Sequence, residues 1–395
     1  MRALICGAGI AGLTLAWHLE RDGWDVKIVE RAPRFRHGGY MIDFYGPGME
    51  VAKQMGIRPR LLATQYPIDE VDYVNGEGRR TSGVTFTGVL GDGLNVMRED
   101  LAQALHDEVR SPIVYSTSIE SIRRHADSVA VRLTDGTREE VDLLVGADGA
   151  HSRVRELTFG PEEHFVRYLG RQTAAYTLKD EELHREIGMR FRSLTVPGLM
   201  VAAYSQRDDG LAVLFLRQEP DPRLPDDIVA ELTRHYGHLG WILPKVLSLR
   251  PPASEIYYDQ VNQVEMDEWS KGRVVLIGDA CQAVSLFAGY GASLAMAGAW
   301  VLADELRGAG RHVPGALTRY HARMAGPVAE IQRFGRQSLE WVAPGTRGRI
   351  VARDMFMRLM NLPGANRLMV APLATAGKGL IKPHSAPLID QTGRA

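Results

Sequence analysis

Residues 3–12 constrain this chain more tightly than any other stretch. Ala3-Leu4-Ile5-Cys6 carries no charged side chain and leads directly into Gly7-Ala8-Gly9-Ile10-Ala11-Gly12. A short apolar run bounded by glycines reads as a buried strand. Leu13, Ala16, Trp17 and Leu19 then recur at helical spacing, Asp22-Gly23 stops the helix, and Val26 to Val29 is a second strand ending on Glu30. Strand, turn, helix and strand within about 30 residues is a βαβ unit whose helix crosses right-handed between parallel strands. Gly7, Gly9 and Gly12 have separate tasks in such a unit: a tight turn, close approach of a pyrophosphate, and close packing of helix on strand. The pyrophosphate meets the free N–H groups of Ile10, Ala11 and Gly12 at the positive end of the helix. Glu30, eighteen residues beyond Gly12, is placed to accept from both ribose hydroxyls of an adenosine, with Arg31 beside it. The unit predicts a bound dinucleotide without choosing which one.

The totals narrow the class. At 395 residues the chain accommodates two domains or one two-lobed enzyme. Forty-seven basic against forty-eight acidic residues leave a charge of −1, which argues against a nucleic-acid partner. Cys6 and Cys281 are the only cysteines, so there is no disulfide framework, and a reducing cytoplasm is the expected compartment. The apolar run starting almost at Met1 is not read as a signal peptide. No window is long and apolar enough for a spanning helix, and stable membrane insertion is not expected. No His/Cys cluster has metal spacing, so no metal is expected.

Beyond the first unit, residues 47–56 and 98–110 read as helices, and 114–116, 128–133 and 139–145 as strands, with Asp135-Gly136 as a hairpin turn. Residues 165–220 change character: alternating runs such as Met189-Arg190-Phe191-Arg192 and Leu211 to Leu216 predict an antiparallel sheet. A helix follows over 226–236, a buried strand over 274–277 and a long apolar helix over 291–306. After residue 340 the chain reads as helical, broken at Pro344, Pro363 and Pro372. The two domains therefore interleave in sequence.

Three later motifs resolve the dinucleotide. Leu143-Leu144-Val145-Gly146-Ala147-Asp148-Gly149 resembles the Asp-Gly motif of the class A flavoprotein monooxygenases, the para-hydroxybenzoate hydroxylase type. Val274 to Ala280, with Gly278-Asp279 at its end, resembles their Gly-Asp motif, continued by Gly289-Tyr290-Gly291-Ala292. Arg98 matches the arginine that opens a helix beside the flavin. With the first fingerprint these motifs span residues 7–306 in the family's order. The resemblance implies FAD as cofactor and NADPH or NADH as a transient co-substrate, because this family lacks a separate nicotinamide domain and only one glycine fingerprint is present.

The implied fold is α/β: a Rossmann-type FAD-binding domain (1–68, 98–164 and 265–340) interleaved with a substrate domain built on an antiparallel sheet (69–97 and 165–264), plus a helical C-terminal segment (341–395). In the family Asp279 bonds the ribitol, Asp148 sits where the FAD and NAD(P)H paths meet, the helix from Gly291 aims its N-terminus at the flavin pyrimidine, and the loop through Gly39 lines the flavin. The resemblance further implies insertion of one oxygen atom from O2 through a flavin C4a-hydroperoxide, with no catalytic protein nucleophile, by a monomer or homodimer.

The expected substrate is an aromatic or polycyclic small molecule, suggested by similarity to the tetracycline-modifying and polyketide-tailoring branch. Arg190, Arg192, Tyr204, Phe215 and Phe287 are the expected lining residues, and the segment 341–381 an expected cap. The chain departs from the family pattern at Cys281-Gln282 and at Ser285-Leu286-Phe287, where a proline is usual, so a less rigid loop is expected there. Cys281 is read as a small buried residue. Baeyer–Villiger oxidation or epoxidation, a non-catalytic flavin-binding module and an NAD-only dehydrogenase remain alternatives.

Overall fold

The opening run forms β1 (Arg2–Cys6), the helix α1 (Ile10–Arg21) follows the glycine turn, and β2 (Asp25–Val29) pairs with β1 in parallel. The computed structural model describes residues 1–35, 40–66, 68, 70–85, 93–310, 312–360 and 380–382. Gly39, Pro363 and Pro372 lie outside the described residues. The parallel sheet runs in the order Ser270–Lys271, Val274–Leu276, Leu143–Gly146, β1, β2 and Ile113–Val114. Only its Ser270–Lys271 edge is antiparallel. Its strands read as apolar runs because helices bury both faces: α1, Gly291–Arg307 and Val313–Val342 contribute to the same core as Leu4, Ile5, Leu144 and Val275.

One predicted strand is two. Residues 139–145 divide at Asp142 between Arg138–Val141, in a three-stranded antiparallel sheet, and Leu143–Gly146, in the parallel sheet. Asp142 makes the junction: its carboxylate accepts from Arg2 N–H at 2.7 Å and its carbonyl from Arg273 at 3.1 Å. The Asp135-Gly136 turn is present, with Gly136 at φ 88° and Asp135 Oδ1 accepting from Thr137 N–H.

The second large sheet has seven strands, in the order Tyr257–Val264, Val166–Lys179, Gly210–Gln218, Leu199–Ser205, Phe191–Val196, Glu70–Val74 and Arg80–Thr85. It is antiparallel apart from the Phe191–Val196 and Glu70–Val74 pair, which is parallel. One face packs Tyr176, Val213 and Phe215 against the helices Ile228–Tyr236 and Leu243–Ser248. The other face looks toward the first domain. A two-stranded ribbon, Met41–Phe44 with Leu94–Met97, lies between the domains.

The long helix Val313–Val342 carries Pro327 inside it and ends with Leu339 and Ala343 against Met200, Ala202 and Leu216 of the second sheet. The following helix, Arg347–Met360, covers the sheet edge: Met357 packs on Tyr73 and Val84, and Arg353 lies 3.8 Å over the Tyr73 ring while donating to Thr195 Oγ1. Among the described residues, the C-terminal segment thus meets this sheet at the edge formed by Tyr73, Val84 and Thr195. Residues 380–382 return to the first domain, where Arg323 donates to the carbonyls of Leu380 and Lys382.

Candidate functional site

Four parallel strands deliver the motifs to one edge of the sheet. Their C-terminal ends carry, side by side, Gly278-Asp279, Ala147-Asp148, Gly7 and Glu30, the edge where open α/β sheets place ligands. A Cβ on Gly12 would stand 2.0 Å from Gly7 O, and one on Gly7 would stand 2.3 Å from Ala147 O. Those two glycines are demanded by the protein's own backbone. Gly9 is different: a Cβ there meets no described atom within 4 Å. Among the described residues nothing requires its bareness, and the open space at this strand edge leaves room for a group to approach the backbone. A Cβ at Gly291 likewise meets no described atom, at the start of the second helix aimed at this edge.

Both helices begin without help from the protein. α1 has no side-chain cap and no acid in its first turn, and the same holds for Gly291–Arg307. A helix N-terminus stabilises an anion by about 0.3–1 kcal/mol when exposed and about 2 when partly buried. That is too little to hold a dinucleotide, so the polar side chains matter. Glu30 is held rigidly: Oε2 accepts from Ala8 N–H at 2.9 Å and Oε1 from Ala32 N–H at 2.8 Å. Each oxygen keeps a further lone pair for a ribose hydroxyl. Arg31 is exposed beside it.

Asp279 opens a short helix, Asp279–Gln282, and its neighbour Gly278 lies against Ala11 at the start of α1. Asp279 is exposed, yet burial around it pushes its carboxyl up while the positive charge of Arg98 pulls it back down. The two side chains therefore lie close enough to feel one another's charge. Asp148 plays another part. It accepts from Ser152 Oγ and from Val154 N–H at 3.0 Å, capping the helix Arg153–Phe159. Its carboxylate organises the turn at the strand end beside Gly7.

Asp43 closes the stretch from Gly38 that the resemblance places along the flavin, although it is not singled out there as a site residue. It belongs to the ribbon strand Met41–Phe44, and burial pushes its carboxyl up. A Cβ at Gly289 would stand 3.9 Å from Asp43 Oδ2 and 3.7 Å from the Tyr45 hydroxyl. Tyr45 in turn packs edge-on against Tyr290 with ring centroids 4.8 Å apart, and its carbonyl accepts from Ser293 Oγ. An acid in an otherwise apolar strand was the available signal.

The unusual loop after Asp279 is ordered by its own bonds. Ser285, at φ 81°, accepts from Phe287 N–H at its hydroxyl and from Ala288 N–H at its carbonyl, and Gly289 N–H reaches Leu286 O. Of the three residues that stand where a proline is usual, Phe287 thus uses its N–H within the loop. Gln282 is buried and donates to the Tyr320 hydroxyl at 2.6 Å. Cys281 is buried too, and burial pushes its thiol up, as a packing residue requires.

The register decides which lining residues face this site. Phe191, Tyr204 and Ala212 pair across three strands and share a face. Tyr204 donates nothing to the far core; its hydroxyl accepts from Met41 N–H at 2.6 Å, tying the sheet to the ribbon. Phe287 packs on the same face with Met200, Ala202 and Leu214. Tyr257 shares it and feels the charge of Asp279. Arg190, Arg192 and Phe215 point away. Arg192 donates to the carbonyls of Gly78 and Glu186, Arg190 pairs with Asp72, and Phe215 stacks on Tyr176 in the far core. Alternation puts neighbours on opposite faces, and Phe191 and Leu214, one position from Arg192 and Phe215, are the residues on the cleft side.

His151 links the two domains. Its Nδ1 stands 2.9 Å from Glu162 and its Nε2 3.9 Å from Asp259 on the second sheet. Asp259, then Glu162, favour the protonated ring and lift its pKa to about 9. A folded pKa above the unfolded value of about 6.5 contributes stability fully below about 6.5, and that contribution is lost as pH rises through about 9. The ring is half-exposed, so the effect is small. Melts of wild type and His151→Gln are expected to differ at pH 6 to 7 and to converge near pH 10; a constant difference would dismiss the clamp.

The FAD binding domain family matches residues 1–333. The chain belongs to that family. A flavin-dependent monooxygenase from an unknown prokaryotic organism is 32% identical over 343 residues, covering 85% of this chain and 88% of its own. The crystal structure of the tetracycline destructase Tet(55) superposes with a TM-score of 0.81 at 30% identity, covering 97% of this chain and 98% of the other. Klebsiella pneumoniae HpxO, solved with FAD and uric acid, shares the fold at 22% identity and a TM-score of 0.77, over 91% and 93% of the two chains. This member of the family is a flavin-dependent monooxygenase and its cofactor is FAD. Among the described residues no group of side chains is arranged to hold a metal ion, and no described helix is long and apolar enough to cross a membrane.

Proposed function

We propose that this monooxygenase uses NAD(P)H and O2 to insert one oxygen atom into an aromatic or polycyclic small molecule. The observation that carries the reading is the sheet face opposite the cofactor edge. Phe191, Tyr204, Leu214 and Phe287 supply an aromatic, largely apolar wall there. Flat apolar ligands suit such a wall, which fixes them by area and stacking. The name of the destructase relative supports a polycyclic substrate.

Glu30 would hold the adenosine ribose, the N-terminus of α1 the pyrophosphate, Asp279 the ribitol, and the N–H groups of Gly291 and Ala292 the pyrimidine edge, with Arg98 across the cleft. FAD, when bound, supplies the redox chemistry between NAD(P)H and O2. The chain's own work is to orient the substrate over that edge, to exclude water with the aromatic wall and the C-terminal cover, and to place positive helix ends where negative charge develops. Asp43 stands beside Gly289 at the rim of this cleft.

Turnover of a panel of aromatic polyketides with labelled O2 tests the reading. The expected result is NAD(P)H consumption with one labelled oxygen in the product; consumption with no labelled product from any panel member would overturn it. Phe191→Ala is expected to raise KM about tenfold or more, since it removes stacking area. Phe215→Ala is expected instead to destabilise the protein by about 3–5 kcal/mol through its cavity in the far core, with KM little changed. Denaturant melts and steady-state kinetics on the two variants separate the roles.

A further inference from the structure

The helix Arg347–Met360 has one face committed and one face that is not. Inward, Arg353 and Met357 are buried on the edge of the second sheet, against Tyr73, Val84 and Thr195. Outward, Val351, Met355 and Leu359 are 62%, 61% and 53% exposed. They recur every fourth residue and so form one stripe. Phe356 and Trp341, each 38% exposed, meet edge-on at 5.2 Å and widen it. Scattered exposed apolar residues are ordinary, but a continuous stripe on one helix marks a surface that is covered in use.

The charges say by what. The helix carries four arginines and one acid, in a chain whose net charge is −1. Arg353 is the buried one, paired with Asp354. The other three, Arg347, Arg349 and Arg358, are exposed; Arg349 pairs with Glu340 at 2.8 Å, and Arg358 donates to the Thr81 carbonyl and keeps its charge. At 100° per residue Arg347 and Arg358 border the stripe on one flank and Arg349 on the other. An apolar stripe edged by arginines, with a tryptophan at its end, is the pattern of a helix that lies in the headgroup boundary of an anionic membrane. The unpaired positive charge of the stripe lies on the flank of Arg347 and Arg358.

We propose that this face docks the enzyme on an anionic lipid surface, peripherally and without insertion of a spanning segment. The same helix covers the edge of the sheet whose inner face forms the aromatic wall, so docking sets the substrate side of the enzyme against the phase where apolar ring compounds partition. The docking itself does not depend on which compound is oxidised or on whether oxidation occurs.

The test is co-sedimentation of the full-length FAD-loaded protein with vesicles of phosphatidylcholine alone, or with about a third phosphatidylglycerol, in buffer of low ionic strength and again at about 0.5 M salt. Binding is expected only to the anionic vesicles, weakened severalfold by salt. It should fall at least tenfold in Val351→Asp and Met355→Asp, and severalfold in Arg347→Glu. All three positions are exposed, so folding and flavin content are expected to be retained, and both are measured alongside. No binding to either vesicle would overturn the proposal, as would binding that survives Val351→Asp and Met355→Asp. A wild-type dimer that these variants convert to monomer would also overturn it, by assigning the stripe to a second copy.

Discussion

Replacing Gly9 with alanine is expected to leave a folded apoprotein that binds FAD about ten- to a hundredfold more weakly, the loss that goes with one or two misplaced charge-assisted hydrogen bonds. The added methyl meets no described atom of the protein, and Gly9 already has φ −85° and ψ −174°, which any residue adopts. Its melting temperature without flavin should therefore move by only a few degrees. Gly12→Ala should behave in the opposite way. Its methyl would lie 2.0 Å from Gly7 O and 3.3 Å from Ile5 Cγ2. Backbone cannot step aside as a side chain can, so a loss of about 1–3 kcal/mol or more is expected with or without FAD. Flavin titration and thermal melts of the two variants distinguish a cofactor glycine from a packing glycine. Equal effects on stability would contradict the distinction.

Asp279→Ala carries the second large effect. It removes the acceptor assigned to the ribitol, and FAD affinity should fall about ten- to a hundredfold. The apoprotein, in contrast, should be as stable as wild type or more so at neutral pH. The sign follows from the raised carboxyl. A carboxyl with a folded pKa above its unfolded value is costly to the fold wherever it is ionised, and that cost disappears only when pH falls low enough to protonate it. Alanine removes the cost at every pH. Isothermal titration with FAD and melts of the apoprotein over pH 4 to 8 check both halves. A destabilised apoprotein with unchanged affinity would make Asp279 a structural residue.

Much of this site can be read along the chain because its parts are local. Gly7, Gly9 and Gly12 lie in one turn, Glu30 ends the next strand, and Gly278-Asp279 and Ala147-Asp148 each follow an apolar run. The parallel sheet then needs only to set those runs side by side. What pairing decides is harder to read. Arg192 and Phe191 differ by one position, and only the register with Tyr204 and Val71 tells which faces the cleft. The strand over 139–145 looks continuous because its alternation carries no mark of the change of sheet at Asp142. Asp43 acquires its place only when the ribbon Met41–Phe44 folds against Gly289, a contact between segments far apart in sequence. Asp148 is read from the resemblance as lying on the cofactor path, and its bonds to Ser152 Oγ and Val154 N–H, made at the start of the next helix, are a second task that the resemblance does not supply.

We propose that one cleft, built from four strand ends and two helix N-termini, holds FAD and passes electrons from a nicotinamide to oxygen. Anaerobic stopped-flow mixing of the FAD-loaded protein with NADPH or NADH tests it most directly. The expected result is bleaching of the flavin absorbance by at least one of the two, faster when an aromatic substrate is present, and return of the colour on admitting O2. A protein that stays colourless after excess FAD, or a bound flavin that neither nicotinamide reduces with any substrate present, would contradict it.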